Sequence, residues 1–346
     1  MKRIAYRFFL IVLLSVLAVE VFPVSAQEDS WFDEGNYDEE WLDKNFDNDV
    51  MIISTPEEFA AFGEYMTRSL WNYPNKTVRL AADMDMSAHT WETPSIKNYF
   101  RGVFDGDGHK ISGLTIVPHV GGGGYSDDYF YVLSGLFLSL IHISEPTRLR
   151  RSVRGTSEIR NLELDETCRI ACAKEYDFFF GDLEFQIGTI AASAIGDVRF
   201  SHCVNRADVV FTPWLQKTDS HEMVCSVSGL VAHADGATID HCSNDGEIIV
   251  DIGEHSDLTD VWVSGLVGRS RSVYEKGGSL ISSVNEGNIS VSNAKGDIFV
   301  GGLSSNYTFR IDSCENHSVV KVNAHEGSAY VGGVSSASMG ITYCFN

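Results

Sequence analysis

Short runs in which apolar and polar residues alternate, punctuated by glycine, make up most of the chain after residue 76. Residues 77–81 and 83–86 alternate with a period of two, which predicts short β-strands. Residues 100–116 alternate in the same way around several glycines, and this predicts a strand–turn–strand unit. Residues 51–53 predict one further short strand near the start of the chain.

One amphipathic helix is predicted directly after that first strand. The apolar residues from Phe59 to Met66 recur at helical spacing. Ser54 or Thr55 suits the N-cap position, and Pro56 suits the first helical turn. A single helix at this place would cover one end of the β-structure that follows.

From residue 187 onward the chain repeats itself. Each unit opens with glycine and an aliphatic residue, and it closes with a small residue, any residue and asparagine. The opening glycines are Gly188, Gly229, Gly265, Gly302 and Gly333. The closing asparagines are Asn205, Asn244, Asn285, Asn316 and Asn346, at intervals of 39, 41, 31 and 30 residues. A repeat with loops of variable length is typical of a solenoid, and a degenerate earlier unit covers residues 134–164.

Stacked units would bring equivalent side chains into columns. The small residues at the closings, Cys203, Cys242, Ser283, Cys314 and Cys344, predict an inward column. We expect each closing asparagine to lie in a turn with left-handed backbone angles, and its amide to bond to the next asparagine along the stack. This structural role explains the cysteines better than disulfides, metal binding or redox chemistry does.

Three segments resemble the start of GLUG-repeat proteins: residues 52–66, residues 77–86 and the sequence FDGDGHKISGL of residues 104–114. Such proteins occur on the surfaces of gut Bacteroidetes and beside peptidase domains in some immunoglobulin A peptidases. The resemblance extends over residues 50–346. It implies a right-handed parallel β-helix with an adhesive or extracellular role and no catalytic residues, and the chain has no HExxH zinc motif.

Two features depart from that pattern. Residues 138–154 interrupt it, and residues 138–148 resemble the translation of a sequencing adapter. We interpret 138–154 as an artefactual insert, absent from the natural gene and poorly packed; the alternative is an anion-binding patch made by its four arginines. The chain stops at the closing of a unit, which predicts a truncated C-terminus without a cap.

The N-terminus has the pattern of a cleaved secretory signal peptide. Lys2, Arg3 and Arg7 precede an apolar run, and small residues at 24–26 predict a signal peptide over residues 1–26. An uncleaved anchor is the alternative, although the run is short for one, and no later stretch is long enough to span a bilayer. Residues 27–48 are acidic with scattered aromatics and predict a leader rather than a domain, so the repeat domain covers residues 49–346.

The charge narrows the partner classes. The chain has 26 Lys and Arg against 48 Asp and Glu, a net charge of -22. This balance argues against a nucleic-acid partner, which needs a basic stripe. A lyase that cleaves acidic polysaccharides would also need a cluster of cations, and none is present outside the suspected insert.

Two acidic motifs are candidates for chemistry. Residues 105–108 resemble a calcium loop, but Ile116 stands where a bidentate glutamate is needed, which favours a glycine-rich hairpin turn. Asp83 and Asp85 share one face of a predicted strand, and paired carboxylates can hydrolyse glycosides. The family resemblance instead favours a buried structural strand.

Histidine and cysteine pairs are weaker candidates. His202 and His241 precede column cysteines in successive units, so they should face outward and lie close together. Two imidazoles make only a weak transition-metal site, and an ordinary surface pair is favoured. Cys168 and Cys172 lack the second pair of ligands that a zinc site needs.

Several aromatic residues near predicted turns are candidate platforms for sugar rings, although packing is the favoured explanation. They are Trp71, Tyr73, Trp91, Tyr99, Trp214 and Trp262. The apolar residues 176–180 predict either a contact patch or a covered strand.

Together these patterns predict an all-β solenoid with a short N-terminal capping helix, which the family resemblance implies is a right-handed parallel β-helix. We expect an exported, adhesin-like scaffold, secreted or on a bacterial cell surface, that binds a glycan or a host extracellular protein without catalytic residues, metal or cofactor. The alternatives are a polysaccharide-cleaving β-helix enzyme and a stalk that presents a missing C-terminal domain.

Overall fold

The computed structural model describes residues 29–68, 76–92, 100, 102–122, 129–142, 157–172, 175–176, 182–215, 223–253, 260–269, 277–305 and 309–346. Within these ranges the chain is β-structure apart from two helices near its start, α1 (Trp41–Asn45) and α2 (Pro56–Arg68). The predicted signal peptide lies outside the described residues. None of the helices in the described ranges is both long and apolar enough to cross a membrane.

The described strands form six sheets, which we number I to VI. Sheet I has nine strands: Val50–Ile53, Thr77–Leu80, Val103–Asp105, Ser157–Arg160, Val198–Ser201, Thr238–Asp240, Ser279–Ile281, Arg310–Asp312 and Gly340–Thr342. Sheet II has seven: Met84–Asp85, Lys110–Ser112, Glu163–Leu164, Val204–Asn205, Ser243–Asn244, Val284–Asn285 and Glu315–Asn316. Sheet III has seven: Thr90–Glu92, Thr115–Val117, Arg169–Cys172, Asp208–Phe211, Ile248–Asp251, Ile289–Lys295 and Val320–Glu326.

The other three sheets complete each coil. Sheet IV has seven strands: His119–Gly122, Tyr129–Ser134, Asp182–Gly188, Met223–Ser228, Asp260–Ser264, Asp297–Gly301 and Ala329–Gly332. Sheet V has four: Phe137–His142, Ala191–Gly196, Val231–Asp235 and Val267–Arg269. Sheet VI has two: Glu175–Tyr176 and Trp214–Leu215.

The chain visits these sheets in the same order in every full coil, and each strand pairs with its counterparts in the coils before and after. Sheets I, II, III, V and VI are parallel throughout, and sheet IV is parallel except where His119–Gly122 pairs with Tyr129–Ser134. This is the predicted parallel β-helix. With strands about 4.8 Å apart, the nine strands of sheet I extend over roughly 38 Å.

Equivalent side chains stack inside the coil, which explains why a repeating sequence builds this core. In sheet I the register aligns one apolar residue from each coil, and these residues are fully buried: Phe104, Ile159, Phe200, Ile239, Leu280 and Ile311. A single coil could not remove such a column from water, so the fold depends on stacking.

The predicted capping helix is α2. The Thr55 hydroxyl accepts a hydrogen bond from the backbone N–H of Glu58 (3.3 Å), and the Glu58 carboxylate accepts one from the N–H of Ser54 (2.5 Å). Phe59 and Phe62 are buried and contact Phe104 with ring centroids 6.1 and 5.7 Å away. The helix thus closes the first coil with its apolar face.

The predicted column of small side chains is confirmed. Cys203, Cys242, Ser283 and Cys314 are all buried. The Ser283 hydroxyl accepts a hydrogen bond from the backbone N–H of Cys242 (3.1 Å), and the N–H of Ser283 donates to Sγ of Cys314 (3.4 Å). All seven cysteines are free thiols rather than disulfides. Six of them pack as small core residues, whereas Cys344, the last member of the predicted column, is half-buried.

The predicted hydrogen bonds between the closing asparagines are confirmed, but the predicted backbone conformation is not. Each closing asparagine, from Asn205 through to Asn346, bonds to the next through its side-chain amide. Asn205, Asn244, Asn285 and Asn316 lie in the strands of sheet II, and none of the five has a left-handed backbone, so the predicted left-handed angles are wrong. The left-handed position is three residues earlier, at His202 and His241, because the chain turns before it enters sheet II.

Two local predictions are also wrong. Residues 100–116 do not form a hairpin, because Val103–Asp105, Lys110–Ser112 and Thr115–Val117 belong to three different parallel sheets. The first part of the suspected insert is not a poorly packed excursion. Phe137–His142 pairs with Ala191–Gly196 in sheet V, and its Leu140 is fully buried. Residues 143–154 lie outside the described residues.

Candidate functional site

The N-terminal segment (residues 29–49), predicted largely as a leader, packs onto the capped end of the coil. Trp31 and Trp41 have exposed fractions of 3% and 0%. The indole N–H of Trp31 donates to the carbonyl oxygen of Met86 (3.2 Å), and that of Trp41 donates to the carbonyl oxygen of Ile52 (2.7 Å). The boundary predicted at residue 48 therefore does not separate two structural units.

A tight turn precedes α1 in this segment. The backbone N–H of Ser30 donates to the Asp33 carboxylate (2.8 Å), and the Asn36 side-chain amide donates to the carbonyl oxygen of Ser30 (2.8 Å). Gly35 has a φ of +92°, which residues with a Cβ rarely adopt. These contacts hold the backbone on both sides of the turn.

An open cavity of about 460 Å³ lies on this segment, lined by Phe32, Glu34, Tyr37 and Glu39. We call it the cap pocket. Its volume falls in the range of small-ligand sites, about 300–1,000 Å³. Phe32 and Tyr37 are half-buried, whereas Glu34 and Glu39 are exposed. The cap pocket therefore combines two aromatic rings with two accessible carboxylates.

The core supports the Phe32 side of the cap pocket. The Phe32 ring meets the buried Trp91 ring edge to face, with centroids 4.9 Å apart. A Cβ atom added to Gly63 of α2 would lie 2.8 Å from Phe32 and 2.5 Å from Trp91. The glycine thus allows both rings to lie against the helix, which fixes the position of Phe32.

The surroundings of the cap pocket are negative. The N-terminal segment contains nine acidic residues and one basic residue, Lys44. Lys44 is already engaged, because its ammonium lies 3.1 Å from Glu40 and 3.6 Å from Asp38, and the hydrogen bond to Glu40 raises the pKa of Lys44. Among the described residues, no cation pairs with Glu34 or Glu39.

Asp83 and Asp85, the candidate carboxylate pair, lie on the outside of the coil. Met84 between them is buried, whereas both aspartates are exposed. Asp83 accepts a hydrogen bond from the backbone N–H of Lys110 (3.2 Å) and contacts Nδ1 of His109 (3.1 Å), and these bonds lower its pKa. The predicted buried strand is therefore buried on one face only, where Met84 points inward, and the two carboxylates share the exposed face.

Asp105, in the candidate calcium loop, is bonded to protein donors. Its carboxylate accepts hydrogen bonds from Arg160 (2.9 Å), from Asn161 (2.9 Å) and from the backbone N–H of Asp107 (3.0 Å), and Arg79 lies 3.6 Å away. Burial raises the pKa of Asp105, but the bonds from Asn161 and Arg160 outweigh it and hold the pKa below its usual value. The loop is a corner of the coil braced by two arginines.

The predicted outward histidine pair is confirmed. The rings of His202 and His241 stack with centroids 5.2 Å apart and planes 10° from parallel, and both are exposed. Nδ1 of His241 lies 2.6 Å from the Asp240 carboxylate. In the part of the chain that the structure describes, no group of three or more His, Cys, Asp or Glu side chains is placed to hold a metal ion.

Cys168 and Cys172 are buried in the core. Sγ of Cys168 donates to the carbonyl oxygen of Ile111 (3.2 Å), and burial raises the pKa of this thiol to about 12. Burial also raises the pKa of Cys172. Both side chains therefore stay protonated and pack as apolar groups.

Packing accounts for the candidate aromatic platforms that the structure describes. Trp91 is fully buried, and Trp262, 8% exposed, stacks on Phe299 with centroids 4.0 Å apart. Phe299 in turn stacks on Tyr330 (4.8 Å) in the next coil. Trp71, Tyr73 and Tyr99 lie outside the described residues, as do residues 177–180, and only the backbone of Trp214 is described.

A buried polar cluster between sheets IV and V was not predicted. Glu184 and Gln186 are 1% and 6% exposed, and the Gln186 amide donates to Glu184 (3.0 Å). Arg269 lies 3.8 Å from the Glu184 carboxylate, and His233 lies 3.2 Å from Asp235. The Arg269–Glu184 contact connects sheet V with sheet IV across two steps of the stack.

The sequence predicts neither the buried polar cluster nor the cap pocket, for different reasons. Glu184 and Gln186 alternate with apolar residues like any exposed face, and no local signal shows that another sheet covers them. Phe32 and Tyr37 did carry a signal, because aromatic rings inside an acidic segment are unusual for a solvated leader. The sequence shows these aromatics, but it does not show which residues they pack against.

Comparisons with known proteins add little to these observations. No protein-family model and no curated protein matches the chain, so the similarity to GLUG-repeat proteins stays a prediction. Among solved structures, the chain is similar to a Bacteroides ovatus protein named provisionally as an immunoglobulin A1 protease. The match has 13% identity and a TM-score of 0.40, and it covers 86% of this chain and 84% of the other. It carries no inference about activity or ligand.

Proposed function

We propose that this chain is an exported, non-catalytic binding scaffold at a bacterial cell surface, and that it binds a glycan or a host extracellular protein. The cap pocket is the observation that carries the proposal. Aromatic rings and carboxylates on a braced support suit recognition, because the rings take up apolar surface and the carboxylates bond to hydroxyl or cationic groups.

The hydrogen bonding of the coil supports a scaffold role. The side-chain amides of the asparagine column and the carboxylate of Asp105 bond to groups of the protein itself. Such a coil is expected to be rigid, and a rigid support lowers the entropy lost when a partner binds. The signal-peptide pattern of residues 1–26 supports export.

The two carboxylates that were candidates for catalysis also support a non-catalytic role. Asp83 and Asp85 each accept a hydrogen bond from a backbone N–H of the protein. A glycosidase needs one carboxyl group that donates a proton and a second that attacks or activates water, both facing a cleft.

Binding to arrays of glycans, mucins and extracellular proteins tests this proposal. The full chain should retain at least one ligand, and Tyr37→Ala should weaken that binding about tenfold, as expected for a central aromatic contact. Tyr330→Ala removes an aromatic ring from the opposite end of the coil and should have no effect. Unchanged binding by Tyr37→Ala, or release of short products from a polymer, would contradict the proposal.

A further inference from the structure

The charge of the cap pocket points to the chemistry of its occupant. We infer that it takes the cationic side chain of a lysine or arginine on a partner protein. This inference rests on the proposed binding function and narrows it from a glycan or protein to a basic protein surface.

The two carboxylates of the cap pocket are the first reason to expect a cationic occupant. Glu34 and Glu39 are both exposed on the pocket wall, and no described cation pairs with either of them. Lys44, the one basic residue of the N-terminal segment, is held by Glu40 and Asp38. The pocket therefore keeps an uncompensated negative charge, which attracts cations and repels sulfated, sialylated or uronate groups.

The aromatic rings carry the second step. Phe32 and Tyr37 line the same cavity as the two carboxylates. The aliphatic stem of lysine or arginine packs well on aromatic rings, and its charged head is attracted both to ring faces and to carboxylates. A neutral sugar could use the rings, but it would gain nothing from the net charge of the pocket.

The surrounding charge carries the third step. With nine acidic residues and one lysine, the N-terminal segment has a net charge of about -8. Such a surface speeds the approach of a basic partner, and the effect weakens as salt screens it. A basic protein would therefore associate faster at low ionic strength.

A set of three short peptides tests the inference on the full chain. The probes are acetyl-Gly-Lys-Gly-amide, its arginine equivalent and its norleucine equivalent, which keeps the apolar stem without the charge. NMR signals of the Tyr37 ring should shift with the lysine and arginine peptides. The norleucine peptide should bind about fivefold more weakly, the scale of a partly exposed cation contact.

Matched variants separate the pocket from the overall negative charge of the protein. Glu34→Gln and Glu39→Gln should each weaken the binding of the lysine peptide about threefold. Glu326 is an exposed glutamate of the last full coil, and Glu326→Gln should leave this binding unchanged. Tyr37 signals that do not respond to either cationic peptide would overturn the inference. The inference would also be overturned if the norleucine peptide bound as tightly as the lysine peptide, or if Glu326→Gln weakened binding as much as the two pocket variants. Should a neutral glycan bind here instead, the proposed function would stand and this inference would fail.

Discussion

The side-chain amide of Asn244 donates a hydrogen bond of 2.8 Å to Oδ1 of Asn285, which lies 41 residues later and one coil further along the stack. The same nitrogen donates to the carbonyl oxygen of Gly246 (3.0 Å), and Oδ1 of Asn244 accepts from Asn205 (2.7 Å). Asn244 is completely buried, so these bonds replace the water it loses on folding. The coils are thus joined by side chains as well as by the backbone.

Replacing Asn244 should therefore destabilise the whole stack. Asn244→Ala removes three hydrogen bonds, and the buried amide of Asn205 keeps only one of its two acceptors, the carbonyl oxygen of Ala207, so we expect the free energy of unfolding to fall by about 3 kcal/mol. Urea denaturation followed by circular dichroism measures this change in the free energy of unfolding. Asn323→Ala, at an exposed position, is the control. A loss for Asn244→Ala no larger than that of the control would show that the column contributes little.

Substitution of an opening glycine should destabilise the protein as much as substitution of a closing asparagine. A Cβ atom on Gly229 would lie 2.2 Å from the carbonyl oxygen of Gly265 and 2.5 Å from Oδ1 of Asn244. Because these atoms are backbone and a buried bonded side chain, they cannot easily move, and Gly229→Ala should cost about 3 kcal/mol. Gly340→Ala meets no heavy atom within 4 Å and serves as the control in the same urea titration. Equal midpoints for the two variants would contradict this account.

The columns could be predicted from the sequence because Asn244 and Asn285 stand at the same place in their repeat units, and stacking makes equivalent positions neighbours. The turns could not be predicted in the same way. Alternation marks a strand but does not say which sheet it joins, so the sequence predicts a hairpin at Asp105 where the chain turns between two parallel sheets. The cap pocket depends on Gly63 and Trp91, which approach Phe32 only in the folded chain, and no local pattern announces that contact.

Alkaline pH should destabilise the protein through its buried thiols. Burial raises the pKa of Cys168 and of Cys314 to about 12. In the unfolded chain a thiol ionises near pH 8.5, so above that pH the unfolded state releases protons that the folded state keeps. Each such thiol should lower the free energy of unfolding by about 1.4 kcal/mol per pH unit between roughly pH 9 and 12.

Urea denaturation at pH 8, 9 and 10 checks this dependence. Cys314→Ser is the informative variant, because Ser283 already occupies the same column one coil earlier. The variant should lose stability with pH less steeply than the natural chain, by the contribution of one thiol. Parallel pH profiles for the two proteins would show that Cys314 does not carry the predicted shift.

Acid should destabilise the protein by protonating the Asp105 carboxylate, which braces one corner of the coil. Its folded pKa is held below the unfolded value near 3.9. The stabilisation is therefore present above pH 4 and disappears as the pH falls through the folded pKa. Asp105→Asn should cost about 2 kcal/mol at pH 7, since it weakens the bond to Arg160 and leaves a buried guanidinium edge less well paired.

The difference between Asp105→Asn and the natural chain should shrink as the pH is lowered from 7 to 3. Thermal unfolding at each pH measures it, with Asp312→Asn, an exposed aspartate of sheet I, as the control. A difference that stays constant over this range would mean that the carboxylate is not the group that titrates.

The N-terminal segment should behave as part of the solenoid rather than as a detachable leader. Trp41 is fully buried, its ring contacts Phe62 with centroids 6.3 Å apart, and its N–H donates to the carbonyl oxygen of Ile52. Trp41→Ala should lower the free energy of unfolding by about 3–5 kcal/mol, because it leaves a cavity between α1 and the cap. Trp41→Phe keeps most of the ring and loses the hydrogen bond, so it should cost about 1–2 kcal/mol. Urea midpoints that do not move with Trp41→Ala would mean that the segment folds apart from the coil, and the cap pocket would then lose its rigid support.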